Sequence, residues 1–418
     1  MSQAHKQFDH GHWRNQLALL IAFCCTLSTV PHVTAAATSD AANLSTAIKT
    51  DGTKTCTTWP GWDHFSSAFI NESGRVIDPA LPNGRTTSEG QAYALFFALV
   101  ANDRARFAQL VRWSEDNLAG GDFSHRLPAW LWGLKTDGSW GIIDHNSASD
   151  ADLWTAYTLQ EAGRLWQMPK YTALGQLLAD RILKEETIVL DRLGRLLLPA
   201  PQGFHKGDHP TTTAVRFNPS YAPLQLLRRL AYGSSDLESK AQWQQQIHPT
   251  TRLIIASAPR GFVADWVRYS SNSGFVADQE SQAAGRFDAI RTYLWVGMLP
   301  SAEPERVRLQ QALQPMINLT ASRGTPPQNI DTRNGTVEGT GDAGFSAALL
   351  PLMTGLSTPS AVTTQRNRIV ARDPHSRTDN YYEQALTLFG VGWVENRYRF
   401  GRDGMLQLAS LNASCSAR

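Results

Sequence analysis

Apolar residues recur at helical spacing along almost the whole chain, and that periodicity restricts it to a helical architecture. Within 88–100, for instance, Tyr93, Phe96, Phe97 and Val100 fall on one face at i, i+3, i+4 and i+7. Similar patterns predict helices over 62–70, 103–118, 150–166, 171–186, 219–231 and 237–257. The second half adds 283–298, 304–320, 343–353, 360–372 and 381–394. No run alternates convincingly between apolar and polar residues, so no strands are expected. About twelve helices, in pairs separated by longer loops, predict an all-α, (α/α)6 toroidal barrel of two concentric rings. Its site would lie at the mouth, among inner-helix N-termini and loops, and the architecture alone does not choose a function. Gly and Pro collect between the helices, as in Leu81-Pro82-Asn83-Gly84 and Arg323-Gly324-Thr325-Pro326-Pro327. The polar stretch 205–213 predicts a mobile surface loop. Its His205 and His209 lack a third ligand at suitable spacing, so no metal site is expected.

The first 37 residues stand outside this pattern. Arg14 precedes an apolar run over 17–23, followed by Val33-Thr34-Ala35-Ala36-Ala37, the small residues of a signal-peptidase site. A cleaved signal over 1–37 is expected, with a short segment over 38–55 and a single domain over 56–418. The alternative is an uncleaved N-terminal anchor. Cys24 and Cys25 would leave with the signal, so Cys56 and Cys415 remain at the two ends of the domain. In an exported, periplasmic or secreted chain such a pair favours a disulfide over two buried thiols. Closing so long a loop is worth on the order of 4–5 kcal/mol in the chain-entropy model.

A formal charge of +2, with both signs interspersed, offers no basic footprint for nucleic acid. Only 18% of residues are charged, yet there are 13 Trp. Indole faces suit the C–H faces of sugar rings, although Trp also serves simply as core.

Three acidic segments lie at or near predicted helix starts. In Thr86-Thr87-Ser88-Glu89-Gly90-Gln91, Glu89 either closes a capping box with Thr86 or faces a ligand, with Gly90 permitting close approach. In Ser149-Asp150-Ala151-Asp152, the carboxylates either complement the helix dipole or divide capping from ligand contact. Asp288 and Arg291, three residues apart, form either an ordinary surface ion pair or part of a site among Phe287, Ile290 and Trp295. Glycoside hydrolysis would unite them, because it needs one protonated acid and one carboxylate flanking the sugar and no cofactor.

These segments, with Leu127-Pro128-Ala129-Trp130-Leu131-Trp132-Gly133 and Arg216-Phe217-Asn218-Pro219-Ser220-Tyr221, resemble glycoside hydrolase family 8. Within it they are most similar to the periplasmic cellulases that accompany bacterial cellulose synthesis. The resemblance runs from about Cys56 to Cys415 and implies an (α/α)6 barrel that inverts anomeric configuration. It implies Glu89 as general acid and Asp288 as the base that activates water. Asp150 matches the first Asp of the family's Ala-Ser/Thr-Asp-Ala/Gly-Asp motif, a position assigned either as nucleophile or as the group that positions the sugar. Trp132, Tyr221, Arg291 and Tyr382 match positions lining the glycan cleft. Thr155 departs from the usual Ile or Met. The expected partners are β-1,4-glucan and the cellulose synthase complex. The alternatives are a chitosanase or xylanase of the same family, or a glucan-binding protein that does not cut.

Overall fold

The computed structural model describes residues 58–206, 214–373 and 378–409. The expected signal, the segment 38–55, Cys56, Cys415 and His209 lie outside the described residues. The chain runs through α1 (Pro60–Phe69), α2 (Ser88–Val100), α3 (Arg104–Leu118), α4 (Ser149–Trp166), α5 (Pro169–Glu185) and α6 (Leu224–Gly233). It continues with α7 (Leu237–Gln245), α8 (Ile247–Ser257), α9 (Ala289–Gly297) and α10 (Arg306–Arg323). Last come α11 (Ala343–Leu356), α12 (Pro359–Arg372) and α13 (Tyr381–Val394).

Composition sorts these helices into two rings. In α2, α4, α9, α11 and α13 most residues are buried on every side of the helix. With α6 they form the inner ring of the (α/α)6 barrel. The outer helices α3, α5, α10 and α12 bury one stripe each, for example Phe107, Leu110, Val111 and Trp113 in α3. Outer helices lie against their inner partners, as α3 does on α2, α5 on α4 and α12 on α11. Tyr93, Trp154, Trp295 and Phe389, from four different inner helices, close the barrel axis. Phe389 lies 5.1–5.2 Å from the other three ring centroids.

Three predicted helices are corrected. Residues 237–257 divide into α7 and α8 at Gln246. Pro249 explains the break, since its ring would meet the carbonyl four residues earlier in a continuous helix. α6 starts at Leu224 rather than 219 because Asn218 Oδ1 accepts from both the Ser220 N–H and hydroxyl, folding the chain into a turn. α9 starts at Ala289 rather than 283 because Ala284–Gly285 pair as a strand with Asn329–Asp331.

The expectation of no strands is overturned. Five small antiparallel sheets occur among the described residues. One joins Thr86–Thr87, Leu131–Leu134 and Trp140–Asp144. Another orders His205–Lys206, Ala214–Phe217, Val267–Ser270 and Gly274–Ala277. His205 is therefore strand-paired rather than part of a loop, a correction to that expectation. Strands of two to five residues are too short to display an alternating pattern, and some, such as Thr86–Thr87 with Leu131–Trp132, pair only with distant segments.

Candidate active site

Inner-helix starts bring the three acidic segments together. The Thr87 hydroxyl caps α2 by accepting from the Gly90 N–H at 3.1 Å. Thr86 instead donates to the Val76 carbonyl at 2.5 Å and accepts from Arg75 Nε at 2.9 Å, so the expected Thr86–Glu89 capping box does not form. Glu89, released from capping, bonds Arg291 Nη1. Gly90 is explained by a neighbour rather than a ligand: an added Cβ would sit 3.3 Å from the Tyr381 hydroxyl.

Asp150 lies in the first turn of α4. Its Oδ1 accepts from the Ala151 N–H at 2.9 Å and its Oδ2 from Arg291 Nη1 at 3.1 Å. Asp288 precedes α9 and makes no capping bond; its Oδ1 accepts from Arg291 Nη2 at 2.7 Å. Arg291 is 2% exposed, so the reading of an ordinary surface pair with Asp288 fails. One buried guanidinium thus joins Glu89, Asp150 and Asp288, and its Nη1 also donates to the Tyr93 hydroxyl at 3.1 Å.

The three carboxyls differ in access. The side chains of Glu89 and Asp288 are each 19% exposed, and that of Asp150 only 4%. Burial pushes Asp150 up to about 7, against the lowering influence of Arg291 and with further raising by Glu89 and Asp288. Two partly solvent-facing carboxyls, Glu89 and Asp288, therefore accompany a buried one, Asp150, whose neutral form is favoured by burial. Among the described residues no group of side chains is arranged to hold a metal ion.

Tyr221 and Tyr382 join this cluster. The Arg291 guanidinium lies 5.7 Å from the Tyr221 ring centroid, and the Tyr382 hydroxyl donates to the Phe287 carbonyl at 2.5 Å. Trp132 lies on the strand opposite Thr86. Its ring meets Trp113 edge-on at 5.3 Å and stacks on Trp140 at 5.3 Å, with Arg75 over both Trp132 and Trp140.

Three contributors escaped the sequence reading. Tyr93 is four residues beyond Glu89 on the same helical face, a spacing that could have revealed it. Trp130, half-buried on the core, accepts from the Ser88 N–H at 2.9 Å and donates its own N–H to Asn146 at 2.7 Å, linking the Glu89 and Asp150 segments. Asp265 accepts from the backbone N–H groups of Arg286 and Ala289 at 2.8 and 2.9 Å, fixing the turn that carries Asp288. Burial raises Asp265 to about 7, with Asp288 adding to the effect. No local pattern marks Asp265, because its role depends on a turn some twenty residues away.

Set against known proteins, residues 40–396 match the family described as Glycosyl hydrolases family 8. An endoglucanase of Salmonella typhi is 44% identical over 349 residues, covering 83% of this chain and 90% of that protein. The crystal structure of an endo-1,4-D-glucanase from Vibrio fischeri ES114 superposes with a TM-score of 0.79 at 43% identity, over 84% of this chain and 99% of that one. The endo-β-1,4-glucanase CMCax from Acetobacter xylinum gives a TM-score of 0.64 at 25% identity, over 79% and 95% of the two chains.

Proposed function

The chain belongs to the glycosyl hydrolases of family 8, and we propose that it cleaves internal β-1,4-glucosidic bonds of cellulose with inversion at the anomeric carbon. The observation that carries this reading is the convergence of Glu89, Asp150 and Asp288 on Arg291 at the starts of three inner helices. Glu89 protonates the leaving glycosidic oxygen. Asp288 takes a proton from the water that attacks the opposite face of the sugar. Asp150 hydrogen-bonds the sugar at the cleavage point. A nucleophile would have to be ionised, and burial favours the neutral form of Asp150, which supports positioning over covalent attack. Tyr221 and Tyr382 flank that sugar, and Trp132 serves a sugar farther along the chain.

The N-terminal segment 1–37 acts as a cleavable signal that places the domain in the periplasm or outside the cell. There Cys56 and Cys415 form a disulfide, and the substrate is the β-1,4-glucan made during bacterial cellulose synthesis, beside the synthase complex. Motif resemblance and the apolar, small-residue leader support these steps.

Reducing-end release from carboxymethyl cellulose, with chitosan and xylan in parallel, tests the substrate class. Proton NMR of cello-oligosaccharide cleavage, read before mutarotation, tests the stereochemistry. The α-anomer should appear first, and a β-anomer would transfer the central role to Asp150.

A further inference from the structure

Directly behind Asp150 lies a group of polar side chains with no part in the proposed chemistry. Asp152, one turn into α4, and Glu186, at the C-terminus of α5, are both fully buried. Their carboxyls are in hydrogen-bonding contact with each other. The Ser147 hydroxyl donates its one proton to Glu186 Oε1 at 2.5 Å. That leaves both oxygens of Asp152 and Oε2 of Glu186 without an N–H or O–H donor among the described residues. Among the described residues, neither carboxyl is bonded to a cationic side chain. The other charged groups facing the pair are acidic: Asp150 on α4 and Glu185 on α5. On the neighbouring hairpin, the Arg195 guanidinium is taken by Thr187 Oγ1 at 2.6 Å, and Arg181 of α5 pairs with Glu185.

Two ionised carboxylates could not remain in contact in such a place, because each would be a desolvated charge facing another of the same sign. A single proton between them supplies the missing donor and turns repulsion into a hydrogen bond. We propose that Asp152 and Glu186 share one proton and, with Ser147, act as positioning residues that hold the Asp150 carboxyl in the active site. The shared proton ties the start of α4 to the end of α5. Backbone bonds follow the same seam, from the Ser149 N–H to the Pro199 carbonyl at 3.0 Å and from the Leu198 N–H to the Glu186 carbonyl at 2.7 Å. Asp150 stands between Ser149 and Asp152 on this seam, so separating the two carboxyls would move it. Burial accordingly raises Asp152 strongly and Glu186 to about 8.

The role assigned to the pair rests on the reading that Asp150 contacts the sugar, but the shared proton does not. The experiment therefore reads them separately, on the full mature chain. In the first arm, the unfolding equilibrium of wild type and of Glu186→Gln is measured by urea between pH 4.5 and 8. Folding of the wild type retains a proton that the unfolded chain releases in this window, so its folding constant should fall by about tenfold per pH unit more steeply than the variant's. Parallel curves would overturn the shared proton. The carbonyl-stretch band of protonated carboxyls at pH 7 should lose the intensity of one group in Glu186→Gln relative to wild type, which gives the same answer without unfolding; an unchanged band would count against the proposal.

In the second arm, kcat and KM on carboxymethyl cellulose are compared for Glu186→Gln, which keeps a neutral hydrogen-bonding group, and Glu186→Leu, which keeps none. A misplaced catalytic group costs about 10²-fold per ångström, so the leucine variant should lose at least tenfold more kcat than the glutamine variant, with KM little changed. Equal kcat in the two variants would refute the positioning role. Should Glu186→Leu fail to fold, Asp152→Asn, which must reverse the donor and acceptor within the pair, takes its place in the comparison. Absence of wild-type cleavage on any glucan would refute the proposed function and leave the first arm standing.

Discussion

Arg291 brings one positive charge to three carboxyls, so the cluster cannot hold all three ionised without net negative charge in a largely buried place. Burial raises Asp150 to about 7, with Glu89 and Asp288 adding to the effect. The proposed roles follow from access, with the acid and base open to substrate and the positioning group closed. Glu89→Gln and Asp288→Asn should each lower turnover by at least the 10²–10⁴-fold typical of general acid–base groups while glucan binding persists. Retention of more than about a tenth of wild-type turnover on cellulose would remove that residue from its role. Arg291→Lys tests the hub itself. One ammonium cannot reproduce two terminal nitrogens bonding Asp288 on one side and Glu89 and Asp150 on the other. Turnover should fall by about 10²-fold or more, since positioning errors of an ångström cost that much. A lysine variant within threefold of wild type would show that the guanidinium fork is dispensable.

At the scale of elements, the site depends on how inner helices meet and on what fixes their first turns. The α9 start has no cap of its own; Asp265 and Tyr382 hold the turn 286–289 from two sides. Asp265→Ala should therefore lower kcat more than it raises KM, measured on a soluble cello-oligosaccharide, and an unchanged kcat would make the carboxylate merely local support. Close helix approach is concentrated at Gly390, where an added Cβ would stand 1.9 Å from the Ala347 carbonyl oxygen and force α13 away from α11. Gly390→Ala should destabilise the fold by about 1–3 kcal/mol or more, read as a lower urea midpoint. A midpoint equal to wild type would mean that the two helices part freely. The helices themselves were legible because the 3.6-residue period is written locally in residues such as Tyr93, Phe96 and Phe97. The sheets were not. Thr86–Thr87 becomes a strand only because Leu131 and Trp132 arrive beside it.

For the whole molecule, the unusual quantity is the number of acids raised by burial. Asp150 and Asp265 rise to about 7, Glu186 to about 8, and Asp152 also rises. Each has a folded-state pKa above its unfolded value, so its protonated form is favoured by folding. Its contribution is fully present below the unfolded value near 4 and is lost as pH climbs through the folded one. Stability against urea should accordingly decline from about pH 4.5 to 8, with a slope exceeding one proton. A midpoint that rises or stays level over that interval would show that these acids are ionised in the folded protein.

Local sequence by itself determined that this chain forms helices and which residue types stand at their first turns. Those properties depend on neighbours within a few positions. It left open whether Glu89 closes a capping box with Thr86, and whether Asp288 and Arg291 form a surface pair. Only the tertiary structure decided these points, because Arg291 meets Glu89 across 202 residues and Asp150 across 141. The same holds for the acid pair Asp152 and Glu186, since the sequence marks Asp152 but gives no sign that Glu186 meets it. A carboxyl's charge state is set by the water it loses and the charges it faces, and neither exists until the rings of helices have closed around it.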